Sequence, residues 1–153
     1  MGIEIERKFL VSGDAWRNDS GVLYRQGYLN RDKARTVRVR LAGDAAYLTV
    51  KGQSTGASRA EFEYPIPCAD AVALLALCDG PLIEKTRYIV LHAGMRWEVD
   101  EFAGDNAGLV LAEVELAHPA EEVALPPWVG AEVTADPRYR NSALVARPMG
   151  GSR

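Results

Sequence analysis

Apolar and polar side chains alternate along much of this chain, and the first segment shows the pattern most clearly. Between residues 2 and 11, Glu4, Glu6 and Lys8 share one parity. The other parity is apolar apart from Arg7, and it holds Ile3, Ile5, Phe9 and Val11. Successive side chains of an extended strand point to opposite faces, so this segment is predicted to be a strand with one charged and one apolar face.

The same alternation predicts seven further strands and the fold class. They span residues 22–30, 35–41, 46–51, 59–66, 82–92, 95–102 and 109–117, with a short extended piece at 132–134. Helices are predicted over 69–77, where Gly80-Pro81 ends the element, and over 119–125 and 138–146. Short turns favour an antiparallel sheet, and eight strands suffice to close a barrel. We therefore expect a mainly β (α+β) single domain over residues 1–147 and a disordered tail at 148–153.

Charged side chains on these strands occur as doublets of like sign at positions i and i+2. The acidic doublets are Glu4/Glu6, Glu61/Glu63, Glu98/Asp100 and Glu113/Glu115; the basic ones are Arg38/Arg40 and Lys85/Arg87, with Lys51 alone on its strand. Two such carboxylates lie about 7 Å apart and repel by roughly 2 kcal/mol at an effective dielectric constant of about 20. Repeated doublets therefore need cations to offset them. From the pattern alone, a solvated sheet face and a barrel lined by charges are equally good interpretations.

A barrel lined by these groups would have a definite chemistry. Carboxylate clusters are the hard-oxygen environment that Mg²⁺ or Mn²⁺ prefers. Arginine forks and lysine point charges suit phosphate oxygens. Such a lumen is suited to a metal-bound polyphosphate, whereas the apolar outer face would need cover from helices, from loops or from a second subunit in a homodimer.

Composition narrows the class of protein. The 153 residues predict one domain, and the net charge of −3 does not indicate a nucleic-acid partner. No apolar stretch is long enough to span a bilayer, so a soluble, cytoplasmic protein is expected. Cys68 and Cys78 flank a predicted helix that would separate them by about 15 Å, so both are expected to be free thiols.

The charged motifs occur in an order that resembles a known family. Glu4-x-Glu6-x-Lys8 is followed by Gln26-Gly27-Tyr28-Leu29, Arg38-x-Arg40, Lys51, Glu61-x-Glu63, Lys85-Thr86-Arg87, Glu98-Val99-Asp100, Glu113-Val114-Glu115 and Arg138-Tyr139-Arg140-Asn141. The chain resembles the CYTH superfamily, the triphosphate tunnel metalloenzymes, and is most similar to its bacterial inorganic triphosphatases. The resemblance covers nearly the whole chain.

The resemblance implies an eight-stranded antiparallel tunnel that uses Mg²⁺ or Mn²⁺, as one or two ions. It implies a metal side formed by Glu4, Glu6, Glu113 and Glu115. Phosphate binding would come from Lys8, Arg38, Arg40, Lys51, Lys85 and Arg87. Further tunnel-lining residues, whose roles stay open, are Tyr28, Glu61, Glu63, Glu98, Asp100 and Tyr139.

The resulting hypothesis is hydrolysis of the terminal phosphoanhydride of inorganic triphosphate, with nucleoside triphosphates as further candidate substrates. The four glutamates of the metal side are candidates for the water-orienting base, and Lys8 or Lys51 is either a proton donor to the leaving oxygen or an anchor. Alternatives are a class IV-type adenylate cyclase, a thiamine triphosphatase, a polyphosphate- or nucleotide-binding module without turnover, and a plain structural sheet protein.

Overall fold

The computed structural model describes residues 2–149. The predicted disordered tail therefore falls mostly on residues 150–153, which lie outside the described part. Met149 does not follow that prediction, because its N–H donates to Asn106 Oδ1 at 2.8 Å and its side chain packs on an apolar cluster.

Nine strands and two short α-helices make up the described chain. The strands are β1 (Gly2–Val11), β2 (Val22–Asn30), β3 (Arg35–Ala42), β4 (Ala45–Gly52), β5 (Ser58–Pro65), β6 (Asp79–His92), β7 (Met95–Phe102), β8 (Val110–Glu115) and β9 (Val129–Glu132). The helices are α1 (Cys68–Leu75) and α2 (Asn141–Ala146), with 3-10 turns at Gly104–Asn106 and Pro137–Tyr139. The eight predicted strands are confirmed, each within three residues at either end.

Four local predictions differ from the structure. Residues 119–125 form no helix: the Glu121 N–H closes a turn onto the His118 carbonyl, and Val123 packs against the barrel instead. The predicted helix at 138–146 is divided by Arg140, whose backbone is extended (φ −73°, ψ 141°). Gly80 does not end α1 but lies inside β6 with φ +72°, a conformation that favours glycine. The extended piece predicted at 132–134 is displaced, since β9 ends at Glu132.

The sheet closes on itself. Its strand order is β5-β4-β3-β2-β6-β7-β8-β1, and an additional pairing of β5 with β1 completes an eight-stranded antiparallel barrel. β1 closes the barrel by pairing with β5 through its first residues and with β8 through its later ones. β9 lies outside the barrel, beside the end of β1.

Apolar packing covers the outside of the barrel and one of its ends. On the outer face, Trp97 packs against Phe9 and Trp128, and α1 covers β3 and β4 through Ala71 and Leu75. A third cluster joins α2 to side chains that share the inner parity of the charged doublets, among them Tyr28, Ile83, Phe102 and Leu111. This cluster closes one end of the barrel. Both cysteines are free thiols, as predicted. None of the helices in residues 2–149 is long and apolar enough to cross a membrane.

Candidate active site

The charged parity of the strands points into the barrel and lines a cavity of about 240 Å³. Fourteen of the sixteen side chains singled out from the sequence contact this cavity, and the two exceptions are Asp100 and Tyr139. The solvated-face interpretation is therefore wrong, because the opposite parity is the one covered by apolar side chains on the outside.

Strand order divides the cavity wall into two halves by charge. The acidic doublets lie on β7, β8, β1 and β5, which are consecutive around the barrel. The basic doublets lie on β3 and β6, which flank β2, and Lys51 lies on the adjacent β4. Lys8 on β1 and Arg59 on β5 are the cations of the acidic half. A basic wall therefore faces an acidic wall across one lumen.

The basic half is held by a hydrogen-bond network at its buried base. Arg40 Nε donates to Gln26 Oε1 at 2.8 Å, and Gln26 Nε2 donates to Asn141 Oδ1 at 2.8 Å. Lys85 Nζ donates to the same Asn141 oxygen at 2.9 Å. Burial, together with the neighbouring charges of Arg38 and Arg87, lowers the pKa of Arg40. An anion placed among these cations would relieve their mutual repulsion.

Asp100 supports this basic half from behind and does not line the lumen. Its side chain is 3% exposed, and its two oxygens accept from Arg87 Nε and Nη2 at 2.7 and 2.8 Å. Lys85 Nζ also lies 2.7 Å from Asp100 Oδ2. Burial would raise the pKa of Asp100, but Arg87 and Lys85 lower it well below its usual range. Burial lowers the pKa of Lys85 to about 7 even though Asp100 opposes that shift.

The acidic half is crowded, and part of it is paired with cations. Glu6 lies directly opposite Glu115 in the β1–β8 register. Burial and the nearby carboxylates of Glu113 and Glu4 raise the pKa of Glu6 well above its usual value. Glu113 behaves in the opposite way, because Lys8 at 3.6 Å and the charge of Arg87 outweigh burial and lower its pKa to about 2.

The predicted metal ligands differ in their local contacts. Glu4 accepts from Lys51 Nζ at 2.9 and 3.0 Å. Within residues 2–149, no three His, Cys, Asp or Glu side chains converge into a group that could hold a metal ion as they stand. The donor chemistry nevertheless fits a hard divalent cation, since four carboxylates from two adjacent strands face one lumen.

Two tyrosines singled out from the sequence have different places. Tyr28 lines the cavity and also packs into the apolar end cluster. Tyr139 is buried in that cluster, and it is its backbone carbonyl that accepts from Lys8 Nζ, at 3.1 Å. Tyr139 thus contributes its main chain to the site and not its ring.

Sequence reasoning missed two cationic residues of the cavity, Arg59 and Arg140. Arg59 shares the parity of Glu61 and Glu63 on β5, which is a signal that could have found it. Arg140 lies between a 3-10 turn and α2, where no periodicity predicts the direction of a side chain.

The family model described as CYTH domain matches residues 2–146. The chain belongs to the CYTH domain family. It is 56% identical over 150 residues to the inorganic triphosphatase of Acetivibrio thermocellus, covering 97% of this chain and 96% of that relative. It is 41% identical over 145 residues to the inorganic triphosphatase of Nitrosomonas europaea, covering 92% and 95%.

Two solved structures have a similar fold. An inorganic triphosphatase structure superposes with a TM-score of 0.65 at 38% identity, over 93% of each chain. The PH1012 protein of Pyrococcus horikoshii superposes with a TM-score of 0.59 at 19% identity, over 76% of this chain and 80% of that one, and this likeness concerns the fold alone.

Proposed function

We propose that this CYTH protein is a metal-dependent hydrolase that cleaves the terminal phosphoanhydride of inorganic triphosphate. The observation that carries the proposal is the basic wall facing an acidic wall inside one closed lumen. Two curated relatives that match nearly the whole chain are inorganic triphosphatases. Triphosphate tunnel enzymes of the family depend on a metal ion, and Mg²⁺ or Mn²⁺ is proposed here.

The charge balance of the lumen favours a polyphosphate that carries cations. In the described part of the chain, eight basic side chains line the cavity, against seven carboxylates and the buried Asp100 behind them. Because the charges of the site already balance, a bare, highly charged anion or a bare cation would bind with little net electrostatic stabilisation. A triphosphate neutralised by divalent cations can place its oxygens on the basic wall and its cations on the acidic wall.

The guanidinium group of Arg38 has an N–H donor that is available to such a ligand. Its Nη2 donates to Thr49 Oγ1 at 3.3 Å, and it lies 3.6 Å from Glu63. Its buried Nε has no hydrogen-bond partner within residues 2–149. A buried N–H without a partner is costly, and a phosphate oxygen in the cavity would satisfy it.

Glu4, Glu6, Glu113 and Glu115 would hold the metal, which supplies Lewis-acid stabilisation of phosphate oxygens and acidifies a bound water. Glu6 is the candidate for the base that orients water, because burial and the carboxylates of Glu113 and Glu4 raise its pKa. The basic wall absorbs the charge that develops on the phosphate oxygens during cleavage.

Lys85 is added to Lys8 and Lys51 as a candidate for proton donation to the leaving oxygen, and it fits that role better than Lys8. A lysine acting as an acid near neutral pH needs a lowered pKa. Glu113 and Glu6 raise the pKa of Lys8 although burial opposes them, which makes Lys8 an anchor. Lys85 lines the same cavity, and its pKa is lowered to about 7.

The described cavity lacks the aromatic or apolar surface that an adenylate cyclase would need to hold adenine. Adenine is held by stacking on aromatic or apolar side chains, and Tyr28 is the one aromatic side chain that lines the described cavity. A structural neighbour described as a putative adenylyl cyclase from Hippeastrum is 15% identical, so it bears on the fold only.

One assay tests the proposal. Purified protein is incubated with inorganic triphosphate, ATP or thiamine triphosphate, each with Mg²⁺, Mn²⁺ or a chelator, and orthophosphate and cyclic AMP are measured. We expect orthophosphate from inorganic triphosphate with metal, none with chelator, and no cyclic AMP. Orthophosphate from none of the substrates would leave the binding module as the better explanation.

A further inference from the structure

Arg40 differs from the other cations of the basic wall because its partners are uncharged. A carboxylate lies within 4.0 Å of each of the other four, which are Arg38, Lys51, Lys85 and Arg87. Arg40 has no carboxylate within that distance in the described part of the chain, and its Nε donates to the amide oxygen of Gln26 at 2.8 Å. Its charge, which lies among cations, is therefore offset by neutral groups.

The ring of Tyr24 is the second neutral partner of Arg40, and it also contacts Arg87. The guanidinium carbon of each arginine lies 4.8 Å from the centroid of that ring. Tyr24 on β2 is opposite Ala42 of β3 and opposite Lys85 of β6. Arg40 and Arg87 each lie two residues away on those strands, which makes them diagonal neighbours within reach of an aromatic ring. Tyr24 therefore stands between the two arginines in the sheet.

The ring stabilises Arg40 and leaves its donors available. An aromatic ring attracts a guanidinium group through its electron-rich face and takes up none of its N–H donors. Within residues 2–149, the two Nη atoms of Arg40 make no hydrogen bond, and Arg40 lines the cavity. A carboxylate in the place of the ring would occupy these donors and would repel a phosphate. Tyr24 itself is half-buried and is not among the residues that line the cavity.

We propose that Tyr24 is a positioning residue of the basic wall, whose ring separates Arg40 from Arg87 and holds both guanidinium groups for phosphate. Tyr24 acts through the two arginines and does not touch the substrate. The inference rests on the proposed function for its ligand, which is a phosphate chain in the lumen. It also gives β2 a part in the site, because the ring of Tyr24 and the amide of Gln26 align cations of the strands on either side.

The test weakens the attraction of the ring for cations without changing its shape. Position 24 is altered as Tyr24→Phe and then with phenylalanine analogues that carry one, two or three ring fluorines, because fluorine withdraws electron density from the ring face. The hydroxyl of Tyr24 makes no hydrogen bond within residues 2–149, so Tyr24→Phe is the reference of the series. Tyr64 carries the matched control series, since it lies on the outer face of β5, is 56% exposed and has no cation over its ring in the described chain.

Binding is measured without turnover. Calorimetry with Mg²⁺ gives the Kd of diphosphate, which is the product that cleavage of a terminal phosphoanhydride would leave on the basic wall. Urea unfolding of each ligand-free variant establishes that it is folded. The analogue with one fluorine is the mildest change, and it keeps the test informative if the variant with three fluorines does not fold.

The dependence on fluorine decides the proposal. We expect the Kd of diphosphate to rise with each added fluorine at position 24, by about fivefold or more over the series, and to show no trend at position 64. A smaller rise, an equal rise at position 64, or a change that does not follow the number of fluorines would make Tyr24 a packing residue and overturn the proposal. A wild type that does not bind diphosphate would also overturn it. Since no hydrolysis is measured, the positioning role can fail while the triphosphatase assay succeeds, and the reverse.

Discussion

The substitution Asp100→Asn tests whether the basic wall depends on one buried carboxylate. Asp100 is the group that neutralises Arg87 through two hydrogen bonds and Lys85 through a third contact, and it has no access to the lumen. Asparagine keeps the size of the side chain but removes its charge. Arg87 then keeps only its contacts with Glu98 at 3.1 Å and Glu113 at 3.5 Å, and Lys85 has no carboxylate within 4.0 Å in the described chain.

The expected loss of stability is large. Removing one member of a buried ion pair costs about 3–5 kcal/mol, because the remaining charge is left uncompensated. Asparagine can still accept one hydrogen bond from Arg87, so we expect the lower limit, about 3 kcal/mol. For a domain of this size that corresponds to a fall in Tm of roughly 6–12 °C.

The neighbouring residue supplies a matched control. Glu101 is the next residue of β7, points outward and pairs with Arg17 through two hydrogen bonds of 2.7 and 3.0 Å. The geometry of that pair is similar, but both side chains are substantially exposed. Exposed pairs contribute about 0–1 kcal/mol, so Glu101→Gln should lower the free energy of unfolding by less than 1 kcal/mol.

Urea denaturation, followed by tryptophan fluorescence, measures both variants without metal. The lowered pKa of Asp100 fixes the sign of the pH dependence. Its stabilising contribution is fully present above the unfolded value of about 3.9 and is lost only as the pH falls through the lower folded value. The charge of Asp100 itself therefore contributes equally at pH 7 and pH 5. Lys85, whose pKa of about 7 is held up by Asp100, has a still lower folded pKa in Asp100→Asn, so the variant loses more stability as Lys85 is protonated and the gap should be larger at pH 5 than at pH 7. A gap below 1 kcal/mol, or one equal to that of Glu101→Gln, would refute the reasoning.

Three further substitutions test the two walls. Arg40→Ala should lower triphosphate turnover on the order of 10²-fold or more, since a preorganised charge is lost. Its Tm should change little, because the substitution removes a cation that is flanked by other cations. Near-normal turnover in the phosphate assay would contradict this prediction. Glu115→Gln should also reduce turnover by orders of magnitude with unchanged folding, and a normal rate at saturating Mn²⁺ would remove Glu115 from the metal side. Glu6→Gln should raise the free energy of unfolding by about 1 kcal/mol in chelator, because a repelled carboxylate is removed, and should reduce the stabilisation by Mn²⁺. Lower stability of Glu6→Gln in chelator would show that Glu6 is not repelled.

The local pattern of apolar and polar residues determined where most strands lie and which face of each strand is charged. Alternation alone placed β1, β2 and β7 at their observed bounds, because a strand's two faces are set by parity whatever it pairs with. The same parity grouped thirteen charged cavity residues on one face, but it left open whether that face meets solvent or lines a barrel; the family resemblance favoured the barrel and added Tyr28. The local pattern failed at residues 119–125, where packing of Val123 on the barrel outweighs helical preference, and at Arg140, which lies outside any periodic element.

The sequence order of the motifs leaves the arrangement of the walls undetermined. Acidic and basic doublets are interleaved along the chain, and only the pairing of β1 with β5 and of β2 with β6 sorts them into two halves. The ion pair of Lys51 with Glu4 likewise depends on that closure, whereas Arg87 and Asp100 are direct neighbours in the β6–β7 hairpin. Parity is a property of one strand. Which charged side chains become neighbours across a barrel depends on the register between strands that are far apart in sequence, and only the folded sheet decides that register.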